Sequence, residues 1–159
     1  MTAAPQPTTA ADLDLTSAQG CTLASAQRDF PEWHRGRPCF AVWAIAINNR
    51  AVDQRLALVR QALQPLLLPG DQRQAHITLH VCGFPVAAPA HADDFGAAQL
   101  QAQVDALARA AVRGFALRVG GAFSFASAAC LAVHDDGAAL PRLRLACQQA
   151  APSHDATPY

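Results

Sequence analysis

The chain has 159 residues and a formal net charge of zero, because 12 basic residues balance 12 acidic ones. This length fits one domain, since domains most often contain about 100–150 residues. A hydrophobic content of 52% argues against global disorder. The balanced charge excludes a broad positive surface for nucleic acid or an anionic membrane, so any contact with RNA is expected to be local.

The five cysteines are scattered along the chain and are never spaced as Cys-x-x-Cys, which argues against a disulfide framework or a zinc site. No window approaches about 18 uncharged apolar residues. The N-terminus lacks the basic start and hydrophobic core of a signal peptide. We therefore expect a soluble, cytoplasmic protein with no membrane partner.

The beginning of the chain contains prolines and small polar residues without a sustained period. This composition predicts a flexible N-terminal arm over residues 1–37, followed by a domain over residues 38–159. The basic end of the arm, WHRGRP at residues 33–38, has two interpretations. It is either a contact with a polyanion or a solvated lead-in to the domain.

The hydrophobic pattern predicts the element order β, α, β, α, β, β, α. Residues 39–47 form an apolar run rich in aromatic and β-branched residues, which indicates a buried strand. Apolar residues then recur at helical spacing from Val52 to Leu63. A second strand is expected at residues 74–84, where β-branched residues alternate with polar ones.

In the second half, Asp93 and Asp94 are expected to cap a helix that Gly114 closes. Two strands follow at residues 115–119 and 130–133, joined by the loop GGAFSFASAA. A third helix starts after His134, with Pro141 tolerated in its first turn.

The segment QAHITLHVCGF at residues 74–84 carries the clearest chemical pattern. In a regular strand, His76, Thr78 and His80 lie on one face and the apolar residues between them on the other. Such a polar row is not expected to be buried without a purpose, because every polar group would need a partner in a dry interior. The alternative is a strand face that is merely polar. Zinc binding would need helical spacing and an intervening Glu, which this segment lacks.

The string HITL at residues 76–79 resembles the His-x-Thr-hydrophobic motif of the 2H phosphoesterases. The wider string LLLPGDQRQAHITLHVCGFP resembles the 2′-5′ RNA ligase branch of that superfamily. The likeness extends from about Phe40 to Tyr159 and includes HADDFGAAQL and the Gly-Gly-x-Phe-Ser-Phe loop. A bare His-x-Thr is common by chance, and its place after a strand, a helix and a Pro-Gly turn makes it more specific.

The resemblance implies an α+β, bilobal fold whose two pseudo-symmetric sheets, antiparallel or mixed and flanked by helices, each contribute a His-x-Thr or His-x-Ser motif to a shared cleft. It also implies phosphodiester chemistry at the ribose 2′ oxygen, with one histidine as general base and the other as general acid. His76 matches the first catalytic histidine, and Thr78 matches the first phosphate-binding hydroxyl. This chemistry requires no metal or cofactor.

Further residues are candidate substrate contacts. His80 lies outside the minimal motif and is expected to border the cleft. Phe123 and Phe125 flank a serine at alternating spacing, where they either stack on a base or pack in the core. Arg73 and Arg118 either pair with phosphate or lie on the solvated surface.

The second motif has no match in the chain. In relatives it lies on a strand just after a segment resembling TPY at residues 157–159, so we expect the chain to end before its second half-site, with the last strand or strands missing. Neither His134 nor His154 substitutes for it, since neither has a hydroxyl residue two positions later.

These features favour an enzyme of the 2′-5′ RNA ligase and RNA 2′,3′-cyclic phosphodiesterase type. The expected partner is an RNA terminus or a small cyclic-phosphate nucleotide, with His76 as base or acid. The alternative is a non-catalytic nucleotide-binding or RNA-binding module that keeps the cleft but lacks the second acid or base group. Ligation and hydrolysis both stay open, as does the oligomeric state.

Overall fold

The computed structural model describes residues 28–68, 74–125 and 128–152. The described chain is mixed α+β, which confirms the predicted class, and it follows the predicted order of elements with α1, β3 and a 3-10 helix added. None of the described helices is long and apolar enough to cross a membrane. The elements are α1 (Pro31–His34), β1 (Ala41–Ala46), α2 (Arg50–Leu63), the 3-10 helix (Gln64–Leu66), β2 (His76–Pro85), β3 (Asp94–Phe95), α3 (Ala97–Ala110), β4 (Arg118–Ser124), β5 (Ala129–His134) and α4 (Ala139–Ala150).

The chain divides into two compact units, each assembled from separate segments. The three-strand unit contains the described residues of Arg28–Ala46, His76–Leu117 and Asp135–Tyr159. The two-strand unit contains the described residues of Ile47–Ala75 and Arg118–His134. The domain predicted for residues 38–159 therefore spans both units.

The sheet of the three-strand unit has the order β1-β2-β3, with β1 antiparallel and β3 parallel to β2. Its core is a cluster of Cys82, Phe95 and Ala151, against which Ala41 and Trp43 pack. Helix α3 packs on α4, and α4 contacts β2. This packing places α4 beside the strand that carries the HITL segment.

Two register shifts interrupt the pairing of β1 with β2, and they leave Cys82 and Leu79 as extra residues on β2. Ala44 pairs with Thr78, whereas the preceding residue of β1, Trp43, pairs with His80. Leu79 is therefore an extra residue on β2. Because side chains alternate with a period of two, an extra residue moves the following side chains to the opposite face of the strand.

The prediction of a flexible arm reaching residue 37 is wrong for the part that the structure describes. Helix α1 lies in this part, and the Trp33 ring packs against Phe40 and Phe84 with centroid separations of 4.8 Å. Phe84 is 1% exposed. The aromatic contacts explain the difference, since Trp33 buries a large apolar surface that composition alone does not assign to the core.

Arg37 provides the second anchor of this segment. Its guanidinium lies over the Phe84 ring, with Cζ 3.7 Å from the centroid, and forms ion pairs with Asp93 and Asp94. The prediction that the two aspartates cap the second helix is therefore wrong. The N-cap of α3 is Gly96.

The end of α3 and the start of α4 are explained by backbone conformation and hydrogen bonding. Helix α3 ends at Ala110, and Ala111 takes the left-handed conformation with φ of 48°, so Gly114 does not close the helix as predicted. Pro141 lies in the first turn of α4, as predicted. That position suits proline because the first turn has no intrahelical partner for its N–H.

The two-strand unit packs α2 against the β4–β5 pair. Val59, Leu63 and Ala122 form its core, with Leu131 packed against them. The side-chain oxygen of Asn49 caps α2 by accepting hydrogen bonds from two backbone N–H groups.

Strand β4 spans residues 118–124 rather than the predicted 115–119, so it includes half of the predicted loop. Gly120 and Gly121 lie opposite Ala132, between the regular pairs of β4 and β5. The two glycines predict a loop in the sequence, but in the structure they form a bulge inside a continuous strand.

Candidate functional site

His76 and Thr78 lie on the exposed face of the β1–β2 pair. Both residues are exposed. Their direct neighbours on β1 are Ala46 and Ala44, respectively. Residues two apart on one strand face are about 7 Å apart. Because alanine carries only a methyl group, the β1 residues paired with His76 and Thr78 have small side chains.

His80 faces the other way, and the prediction that it shares a face with His76 and Thr78 is wrong. The bulge at Leu79 is the cause, because it pairs His80 with Trp43, on the core side of β1. His80 is 6% exposed. In this position its side chain belongs to the interior of the three-strand unit.

The surroundings of His80 favour the neutral imidazole. Burial lowers the pKa of His80 below its usual value, and the nearby Arg144 guanidinium acts in the same direction. A hydrogen bond to the carbonyl oxygen of Ala151, with Nε2 at 3.1 Å, acts in the opposite direction. A neutral ring whose Nε2 donates to that carbonyl satisfies the buried group.

The other candidate contacts belong to the two-strand unit or lie outside the described residues. Phe123 is half-buried on β4 and Phe125 is 59% exposed, and the two rings meet edge to face with centroids 5.0 Å apart. Both belong to the two-strand unit, as do Arg118 and His134. Arg73 lies outside the described residues.

Burial disfavours a nucleophilic role for three of the described cysteines. Burial raises the pKa of Cys82 to about 11, and burial also raises the pKa of Cys130 and Cys147. A raised pKa disfavours the reactive thiolate. Cys82 is 6% exposed and packs in the core of the three-strand unit as a small hydrophobic residue.

Two polar residues near β2 were missed by the sequence analysis. The guanidinium Nε of Arg144 on α4 donates to the carbonyl oxygen of Leu79 at 3.1 Å. Gln103 on α3 is 0% exposed and bonds to Trp43 and Ala151. Gly83 inside the predicted strand signals a bulge, and it adjoins the register shift at Cys82 rather than the one at Leu79.

The chemistry available at this face is proton transfer and hydrogen bonding. An imidazole can exchange a proton near neutral pH, and a neighbouring hydroxyl can donate to a phosphoryl oxygen. Within residues 28–68, 74–125 and 128–152, no group of three or more His, Cys, Asp or Glu side chains is placed to hold a metal ion. No protein-family model, no curated protein and no solved structure matches this chain.

Proposed function

We propose that this protein acts on phosphodiesters at the ribose 2′ position, as a 2H phosphoesterase of the 2′-5′ RNA ligase or RNA 2′,3′-cyclic phosphodiesterase type. The observation that carries the proposal is the exposed pair of His76 and Thr78 on β2, opposite two alanines of β1. This pair coincides with the segment that resembles the family motif.

The contrast between neighbouring histidines supports the choice of His76. His80 is buried and bonded to a backbone carbonyl, so it is not available to a ligand without breaking that bond. His76 and Thr78 stay on the open face because the bulge begins only after Thr78. In the proposal, His76 acts as base or acid and Thr78 donates to a phosphoryl oxygen.

The substrate class follows from charge and size. The chain carries no net charge, and long nucleic acids bind mainly through many phosphate contacts. A terminal 2′,3′-cyclic phosphate needs only a local site. The proposed substrate is therefore an RNA terminus or a small cyclic-phosphate nucleotide. The division into two compact units, each with an antiparallel strand pair, is compatible with a bilobal fold of this kind.

A single motif in this chain favours a second candidate. The sequence contains one His-x-Thr and no His-x-Ser. In-line displacement at phosphorus needs a proton removed on one side and delivered on the other. A chain with one such motif is suited to bind the ligand without efficient turnover, so the second candidate is a nucleotide-binding or RNA-binding module.

The test follows the opening of 2′,3′-cyclic AMP by ³¹P NMR and its binding by calorimetry, using the 159-residue protein. We expect His76→Ala to lower the rate by about 10²–10⁴, the usual contribution of one general acid or base. Thr78→Val should weaken binding, because it removes the hydroxyl with little change in shape. His91→Ala is the matched control, since His91 is also exposed and lies in the same unit.

Three outcomes separate the candidates. Turnover that depends on His76 supports the enzyme. Binding that depends on Thr78, without turnover above the His76→Ala level, supports the binding module. Neither binding nor turnover, or equal effects of His76→Ala and His91→Ala, overturns both.

A further inference from the structure

Helix α4 and the residue directly after it contact Leu79 and His80, the two residues at which the first bulge of β2 changes the face of the strand. The carbonyl oxygen of Leu79, the extra residue of the bulge, accepts a hydrogen bond of 3.1 Å from Nε of Arg144. Nε2 of His80, the next residue, lies 3.1 Å from the carbonyl oxygen of Ala151, directly after α4. Two consecutive residues of β2 are therefore bonded to the α4 region. Leu79 bonds to the side chain of Arg144, and His80 bonds to the backbone carbonyl of Ala151.

The hydrogen bond between His80 and Ala151 belongs to a larger buried network. The same Ala151 carbonyl accepts a hydrogen bond of 3.1 Å from Nε2 of Gln103. The side-chain oxygen of Gln103 in turn accepts from the indole N–H of Trp43 at 2.7 Å. Trp43 is the β1 partner of His80. The network thus links the two strands and both helices around the bulge.

The bond from Arg144 is the one contact of this group that reaches the bulge residue itself. A bulge leaves its extra residue without a regular partner on the neighbouring strand. An unpaired carbonyl beside the core is costly. Leu79 is 8% exposed, so its carbonyl cannot rely on full hydration. Arg144 satisfies this oxygen and favours the bulge at Leu79 over one at a neighbouring position.

The position of the bulge decides which side chains face outward. With the extra residue at Leu79, Thr78 faces outward and His80 faces the core. If the extra residue moved one place towards the start of β2, Thr78 would lose its pairing with Ala44. Whether His76 and Thr78 share the outward face therefore depends on the contact that Arg144 makes from α4.

We infer that Arg144 is a positioning residue for the His76 and Thr78 site, acting through its bond to the Leu79 carbonyl. This inference rests on the proposed function for its catalytic readout. Arg144 itself does not touch the ligand. Its role is to keep the imidazole and the hydroxyl on one face, two residues apart.

The test compares three substitutions on α4. Arg144→Met keeps the aliphatic stem and removes the donor, and Arg144→Lys restores a donor and a positive charge. Arg142→Met is the matched control, since Arg142 lies on the same helix and donates to the carbonyl oxygen of Ala110 instead. The readouts are amide hydrogen exchange along β2, the NMR signals of His76 and Thr78, and kcat and KM for 2′,3′-cyclic AMP.

In Arg144→Met we expect amide exchange around Leu79 to become about tenfold faster, which corresponds to the loss of one hydrogen bond to a charged donor. The NMR signals of His76 and Thr78 should shift. The catalytic loss should fall mainly in kcat, and Arg144→Lys should recover part of each effect. Arg142→Met should leave β2 exchange and both NMR signals unchanged.

Unchanged exchange and unchanged signals in Arg144→Met would overturn the inference, as would equal changes in Arg142→Met. The exchange and NMR readouts need no turnover. A wild-type protein without activity would therefore count against the proposed function, while these two readouts would still decide the role of Arg144.

Discussion

The indole N–H of Trp43 on β1 donates a hydrogen bond of 2.7 Å to the side-chain oxygen of Gln103 on α3. Gln103 is 0% exposed. Its Nε2 donates to the carbonyl oxygens of Cys147 and Ala151. A buried amide with both donors and its acceptor satisfied is stabilising, and its removal leaves several polar partners without a bond.

We predict that Gln103→Leu lowers the free energy of unfolding by about 3 kcal/mol, because the substitution leaves the Trp43 N–H and the Ala151 carbonyl less well satisfied. Urea unfolding measures the change. Gln101→Leu is the control on the same helix, since Gln101 bonds only at the surface, to Asp105. Equal losses in the two variants would contradict the importance of the buried network.

Gly83 on β2 has φ of +117°, and a Cβ at this position would overlap with the carbonyl oxygen of Asp93. Both the conformation and the space require glycine. We predict that Gly83→Ala destabilises the protein by about 3 kcal/mol or more. Gly114→Ala is the control, because nothing lies within 4 Å of a Cβ at Gly114. Thermal unfolding of the two variants with similar midpoints would contradict this prediction.

The ion pairs of Arg37 predict a loss of stability in acid. Hydrogen bonds from the backbone N–H groups of Ala90 and His91, together with Arg37, lower the pKa of Asp94 from 3.8 to about 2. The pKa of Asp93 is also lowered, chiefly by its hydrogen bond with Arg37. A carboxylate whose pKa is lower in the folded protein than in the unfolded chain stabilises the fold at pH values above its unfolded pKa. That stabilisation is lost as the pH falls through its pKa in the folded protein.

We therefore expect the free energy of unfolding to fall as the pH decreases from 3.8 towards about 2. Arg37→Met should flatten this dependence and lower stability at neutral pH, because it leaves two buried carboxylates without their cation. Arg142→Met is the control, since Arg142 lies in the same unit and donates to the carbonyl oxygen of Ala110 rather than to a carboxylate. Urea midpoints from pH 2 to pH 7 measure the effect. An acid profile unchanged by Arg37→Met would speak against the ion pairs.

His80 predicts a second pH dependence, at higher pH. Its pKa is lowered in the folded protein from the usual 6.5, mainly by burial. The unfolded chain then takes up a proton before the folded protein does, so stability is complete above pH 6.5 and decreases as the pH falls below it.

We expect His80→Gln to remove this part of the pH dependence, because glutamine does not titrate and can still donate to the Ala151 carbonyl. His91→Gln is the control, as an exposed histidine of the same unit. Urea unfolding between pH 5 and pH 8 measures the slope. A slope that disappears in His91→Gln and persists in His80→Gln would refute the assignment.

The order of the elements could be predicted because its signals are local. The apolar run at residues 39–47 contains β1, and the spacing from Val52 to Leu63 lies within α2. Side-chain periodicity follows directly from helix and strand geometry, so such segments are legible in a single sequence. His76 and Thr78 are both exposed, as the alternation of the strand predicts, and their function stays a prediction.

The face of His80 could not be predicted, because the bulge before it is decided by distant contacts. The donor that satisfies Leu79 is Arg144, 65 residues later in the chain. The same reason explains Asp93 and Asp94, which resemble helix caps in sequence but bind Arg37 across 56 and 57 residues. Local patterns specify which conformations are available, and non-local partners choose among them.

The division into two discontinuous units limits the order in which the chain can fold and what a protease can release from it. Within the described residues the chain passes from one unit to the other after Ala46, Ala75, Leu117 and His134, so neither unit is one uninterrupted stretch. Strands β1 and β2 can pair only after the intervening residues, which belong to the other unit, have closed a loop. No single proteolytic cut or truncation yields either unit intact. A circular permutant that joins their segments differently would reveal whether the order of synthesis matters for assembling the His76 face.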